Sequence, residues 1–106
     1  MINAVLDTNI LIYLINGEEQ YIEFITKLDN QVLGISVMSV LETLLGLEGE
    51  ERTGIERKLH EEFVIIDVGY NIAEQTATTL RQRKKKGGRD PWLIDAIIAH
   101  TALEQR

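Results

Sequence analysis

Residues 2–16 read "INAVLDTNILIYLIN", and the rest of the chain is interpreted from this stretch. "INAVL" is short, apolar and bounded by polar residues, which suits a buried strand. "TNILIYLING" reads as a helix or helical turn, stopped by Asn16-Gly17. Asp7 stands where the strand gives way to the helix. An aspartate there is an ordinary helix cap. It also follows the carboxyl end of a strand, where open parallel sheets form their functional crevice. This stretch alone leaves both readings open.

Downstream, the pattern alternates. "EEQYIEFITKLD" places Tyr21, Ile22, Phe24, Ile25 and Leu28 at helical spacing, with Glu18 and Glu19 at the favourable N-terminal end. "QVLGIS" reads as a second strand. "VMSVLETLLGLEG" is then a helix whose apolar face is Val37, Val40, Leu41, Leu44 and Leu45, broken by Gly49 and the acidic "EGEE". "RTGIERKLHEE" is a weaker, charged helix, and "FVIID" a third strand rich in β-branched residues. "NIAEQTATTLRQRKKK" forms a long helix ended by Gly87-Gly88. Asp90 followed by Pro91 is a cap and first-position signature, so a last helix should run from Pro91. Strands alternating with helices imply βαβ crossovers. The expected fold is α/β, a three-layer α/β/α sandwich around a mainly parallel sheet.

Composition narrows the chemistry. At 106 residues the chain is one domain with a single core. An apolar fraction of 44% is ordinary for a globular protein. Without cysteine there is no disulfide, thiolate nucleophile or cysteine-held zinc. His60 and His100 lie far apart and show no metal-ligand spacing. Any metal would therefore be a hard cation on oxygen ligands. No apolar run spans a bilayer and the N-terminus lacks a basic signal-peptide start, so a cytoplasmic protein is expected.

The net charge of −6 argues against nucleic-acid binding over the whole surface. Its distribution points elsewhere: Arg81, Arg83, Lys84, Lys85, Lys86 and Arg89 are packed into "RQRKKKGGR". One basic stretch on an acidic body could direct a polyanion to one place. A solvated helix end accounts for the run equally well.

Two further acids share the predicament of Asp7. On its helix, Glu42 has Met38, Ser39, Leu45 and Gly46 as same-face neighbours. A lone carboxylate on such a surface is costly unless it is paired or bound to a cation; the bland alternative is the solvent edge of an amphipathic helix. Asp95 in "LIDAIIAHTA" lies beside a core-facing stripe of Ile94, Ile97 and Ile98, with Ala99 and Ala102 on its own side. Asp90, at the cap position on another face, reads as structural. No lysine or arginine lies close in sequence to Asp7, Glu42 or Asp95. If they converge, three like charges require a counter-ion, and Mg²⁺ or Mn²⁺ is the simplest.

The blocks "AVLDTNILIYLI", "ISVMSVLETLLGL" and "LIDAIIAHTALEQ" resemble, in order and spacing, those of the PIN-domain family, and within it the VapC-type toxin ribonucleases of toxin–antitoxin pairs. The resemblance spans nearly the whole chain. It implies a metal-dependent ribonuclease fold, with Asp7, Glu42 and Asp95 at the acidic metal-site positions and Thr8, Asn9 and Ser39 at polar positions that orient them. It also implies RNA as substrate, an antitoxin as partner and a type II toxin role. Family members continue past the last helix into another strand with a fourth polar group. This sequence ends at Arg106, so a C-terminally short domain is expected, its first strand left at the sheet edge and covered by a second copy in a homodimer.

Two rival readings stand beside the nuclease. One is a PIN-like binding module without turnover, acting through its helical surface. For the partner or second subunit that the toxin resemblance implies, Tyr13, Tyr21 and Phe24 of the first helical hairpin are candidate anchors, with the edge of the core as the bland alternative. The other is a receiver-like phosphate-accepting pocket, which lacks the expected acidic pair after the first strand and a lysine after a later one.

Overall fold

Three short strands, β1 (Ala4–Leu6), β2 (Leu33–Ser36) and β3 (Val64–Ile66), form a parallel sheet in the order β1-β2-β3. This is a computed structural model. It describes residues 2–17, 19–27, 31–85 and 93–105, without the side chains of Tyr21, Phe24, Ile25, Arg83, Lys84 and Lys85. Helices flank the sheet: α1 (Thr8–Ile15) and α2 (Glu19–Thr26) connect β1 to β2, while α3 (Val37–Leu45) and α4 (Gly49–Glu62) connect β2 to β3. α5 (Tyr70–Lys85) and α6 (Leu93–Glu104) follow and pack on each other. The α/β architecture expected from the alternating pattern is therefore present.

The register pairs Ala4 with Leu33, Val5 with Gly34 and Leu6 with Ile35, then Gly34 with Val64 and Ile35 with Ile65. Gly34 sits in the middle strand, where a Cβ would lie 2.9 Å from Ile66 Cδ1 and 3.0 Å from Ile2 Cγ2. Its missing side chain lets those two isoleucines close over β2. The core beside them is Leu6, Leu11, Ile35 and Leu59, covered by Ile10, Leu14, Val40 and Phe63 among others. α1 ends where its sequence predicts, with Asn16 as C-cap and Gly17 at φ +73°.

Three local expectations need correction. α3 ends at Gly46, and α4 begins at Gly49, within the acidic cluster rather than after it. Glu50 and Glu51 occupy the first turn of α4, where negative charge meets the positive end of the helix. The inward face of α3 is also not its most apolar one. Ser39 and Thr43 are buried, Val37, Val40 and Leu44 are half-buried, and Leu41 and Leu45 are 46% and 76% exposed. The face is set by packing against α1, α4 and α6. On α6 the buried residues are Ala96, Ile98 and Thr101, with Ile94 and Ile97 only half-buried.

The expected Asp90–Pro91 cap, the Gly87-Gly88 stop and Leu28 lie outside the described residues, as do the side chains of Tyr21 and Phe24. Among the described residues β1 has a neighbour on one side only, and no helix is long and apolar enough to cross a membrane.

Candidate active site

β1 and β2 run parallel and end side by side, and each passes without a long loop into a helix. Asp7 is the single residue between β1 and α1. Its backbone is extended, and its Oδ1 accepts the Ile10 N–H at 2.9 Å, so it is the N-cap of α1. On β2 the corresponding cap is Ser36, fully buried, whose Oγ accepts the Met38 N–H at 3.1 Å. This residue escapes a search for carboxylates, although a serine directly before an apolar helix is a recognisable cap. By starting α3 at Val37, Ser36 sets the phase that turns Ser39 and Glu42 toward α1.

Across that junction the first turn of α1 is tied to the first two turns of α3. The Thr8 hydroxyl donates to Glu42 Oε1 at 2.7 Å, and Thr8 Oγ1 lies 3.0 Å from Ser39 Oγ. Thr8 has one hydroxyl proton and gives it to the carboxylate, so Ser39 is the donor to Thr8. Ser39 is wholly buried, which shields this link from water. Glu42 is thus not the lone carboxylate of the sequence reading: it is half-buried and held by Thr8.

A cleft of about 680 Å³ opens beside this junction. Asp7, Glu42 and Asp95 all line it, together with Thr8, Asn9, Ile12, Ala99 and Ala102. Asp95 reaches it from the first turn of α6, and the small side chains of Ala99 and Ala102 leave the space open beside it. Asp7 thus caps the helix through one oxygen and also lines the cleft. Asn9 lines the cleft, exposed; Ser39 stands behind Thr8 and is not part of the wall.

Among the described residues the wall contains oxygen donors and no lysine or arginine. The ion pair between described residues is Arg52–Glu56 on α4, remote from these acids in sequence. Among the described residues no three acidic or imidazole groups close tightly enough to enclose an ion, so the acids share a cleft rather than a finished cage. An all-oxygen, anionic lining of this kind suits a hard divalent cation that keeps several of its waters. Of the basic run, Arg81 is exposed on α5. The side chains of Arg83, Lys84 and Lys85, and all of Lys86 and Arg89, fall outside what is described.

Parallel βα units that deliver acidic residues to one end of a sheet define a class of α/β proteins with a polar cleft at the strand ends. A sequence-family profile for the PIN domain matches residues 4–106, and the chain belongs to that family. PIN domains are in general nucleases. Among curated proteins none matches the chain. Solved structures do. A toxin–antitoxin complex from Klebsiella pneumoniae is 28% identical with a TM-score of 0.77, covering 98% of this chain and 81% of that one. VapBC2 from Rickettsia felis, bound to a DNA fragment from its promoter, is 22% identical with a TM-score of 0.79, covering 95% and 80%. FitAcB from Neisseria gonorrhoeae is 24% identical with a TM-score of 0.74, covering 99% and 82%. The last two likenesses are of fold.

Proposed function

We propose that this protein is a metal-dependent endoribonuclease of the VapC type, the toxin of a type II toxin–antitoxin pair. One observation carries the reading: Asp7, Glu42 and Asp95, far apart in sequence, line one cleft at the strand ends, with no basic side chain among the described residues of its wall. Family membership supports hydrolytic nuclease chemistry, and the likeness to toxin–antitoxin complexes supports an antitoxin partner.

In this reading Asp7 and Asp95 are the principal ligands of Mg²⁺ or Mn²⁺, and Glu42 is a ligand or a base acting through water. The bound cation would supply an activated water and neutralise charge that builds on the phosphodiester in the transition state. Thr8 and Ser39 hold Glu42 in place, the α1 N-terminus holds Asp7, and Asn9 offers the cleft a neutral polar group. Arg81, Arg83, Lys84, Lys85, Lys86 and Arg89 hold the RNA backbone without reading its sequence. The 106 residues act as one cytoplasmic domain, paired with a second copy.

Cleavage of a structured RNA with and without Mg²⁺ or Mn²⁺, with Asp7→Asn as control, tests the reading. Metal-dependent cutting that the substitution abolishes supports it. RNA or protein binding without any cutting would favour the binding module instead.

A further inference from the structure

Both site carboxylates whose partners are defined have one oxygen already engaged. Asp7 Oδ1 accepts the Ile10 N–H at 2.9 Å, and Glu42 Oε1 accepts the Thr8 hydroxyl at 2.7 Å. Behind Thr8, the buried Ser39 hydroxyl lies at 3.0 Å and, because Thr8 gives its one proton to Glu42, acts as the donor to Thr8. Chained hydroxyls of this kind polarise one another and strengthen the terminal bond. Each carboxylate oxygen carries two lone pairs, so an oxygen that accepts a charge-assisted hydrogen bond has one of them committed and competes less well for a metal than its free neighbour.

We propose, building on the metal-site reading above, that Thr8 is a cation-selectivity residue. By committing a lone pair of Glu42 Oε1 it biases that carboxylate to bind through its other oxygen, as the α1 N-terminus does for Asp7, and the cleft thereby favours Mg²⁺ over Ca²⁺. Ca²⁺ takes about six to eight oxygens and commonly recruits a carboxylate through both of its own. Mg²⁺ is satisfied by about six, dehydrates reluctantly, and is held by one oxygen from each of a few carboxylates with waters completing the shell. A free and rotatable Glu42 would offer Ca²⁺ the second oxygen. Thr8 withholds it, and Ser39 keeps Thr8 in that posture, so both are positioning residues.

The test needs no RNA. Mg²⁺ and Ca²⁺ are titrated separately into the intact protein by calorimetry, and melting temperatures are recorded in each ion. The unmutated protein should bind Mg²⁺ at least as tightly as Ca²⁺. Thr8→Val, which keeps the shape and removes the hydroxyl, should shift the affinity ratio toward Ca²⁺ by about threefold or more as Glu42 gains a second ligating oxygen. Thr8→Ser should restore the ratio. Ser39→Ala, which leaves the Thr8 hydroxyl but removes the donor behind it, should move the ratio the same way by less. That variant also keeps the question answerable should Thr8→Val fold poorly. Tighter binding of Ca²⁺ by the unmutated protein overturns the proposal, as does an unchanged ratio in both Thr8→Val and Ser39→Ala. Either result leaves the metal-site reading standing. Neither heat nor a melting shift from either ion would instead overturn that reading, and this proposal with it.

Discussion

Thr8 and Glu42 stand 34 residues apart in sequence and 2.7 Å apart in space, the hydroxyl of one donating to the carboxylate of the other. The bond joins the turn after β1 to the helix after β2. It follows from the register: Leu6 is paired with Ile35, so Asp7 and Ser36 are the next residues on neighbouring strands. Each caps its helix, and α1 and α3 therefore leave the sheet side by side. Thr8 occupies the first position of α1, and Ser39 and Glu42 lie one turn apart on α3. The sheet register thus places the acids, and the two hydroxyls orient one of them.

The double duty of Asp7 separates two substitutions that resemble each other on paper. Asn is as good an N-cap as Asp, so Asp7→Asn should leave the melting temperature of the metal-free protein nearly unchanged. Asp7→Ala loses the cap and should cost about 1 kcal/mol. Both should lose the stabilisation by Mg²⁺, which for an intact site reaches about 2.7 kcal/mol at a hundred times the dissociation constant. Asp95→Asn should behave as Asp7→Asn does. Thermal melts with and without MgCl₂ check this, and an undiminished Mg²⁺ shift in Asp7→Asn would remove Asp7 from the ligand set.

Gly34→Ala should destabilise the fold without touching the cleft. The added methyl would meet Ile66 Cδ1 at 2.9 Å and Ile2 Cγ2 at 3.0 Å, and these side chains belong to or flank the two outer strands. Overpacking of this kind costs about 1 to 3 kcal/mol. Urea unfolding should show the midpoint fall at constant slope. A cost below a few tenths of a kcal/mol would mean that the isoleucines swing aside freely.

How far the sequence could be read depended on the range of the interaction. β1, α1 and the Asn16-Gly17 stop are local patterns, and they appear where the pattern puts them. Asp7, Glu42 and Asp95 were legible as acids in apolar company, and they line one cleft. What held Glu42 was not legible, because its partner lies on another helix and no spacing along α3 reveals it. The buried face of α3 was misjudged for a related reason. Counting apolar residues favours Leu41 and Leu45, whereas contact with α1 and α6 turns Ser39 and Thr43 inward. The start of α4 was missed because Gly49 reads as a breaker, while Glu50 and Glu51 after it favour a helix N-terminus.

Replacing Lys84, Lys85 and Lys86 together by Ala should weaken RNA binding and flatten its salt dependence. The loss of three phosphate contacts lowers the slope of log affinity against log salt by about 2 for a single strand. Fluorescence anisotropy over a salt series gives the slope directly. An unchanged slope with unchanged affinity returns the run to a solvated helix end, whereas an unchanged slope with affinity lowered equally at every salt concentration would point to a structural effect.

The last prediction concerns the open side of β1. The Asn3 N–H donates to Val32 O at 2.8 Å, toward β2. Neighbouring residues of a parallel strand turn their backbone groups to opposite sides, so the Ala4 N–H points away from β2. Among the described residues no strand pairs with that side. An unpaired edge invites another chain, and we expect two copies of this 106-residue chain to pair there as a two-fold dimer. Ala4→Pro separates this from other modes of association: it removes one outward N–H and leaves the β1–β2 ladder intact, since proline is tolerated on an edge strand. Light scattering should show a dimer at tens of micromolar, about the range in which weak edge pairing is populated, and a monomer for Ala4→Pro with an unchanged circular dichroism spectrum. A dimer that survives Ala4→Pro would place the interface elsewhere, with the exposed Leu41 and Leu45 of α3 the next surface to test. A monomeric unmutated chain would mean that the edge of β1 is already protected.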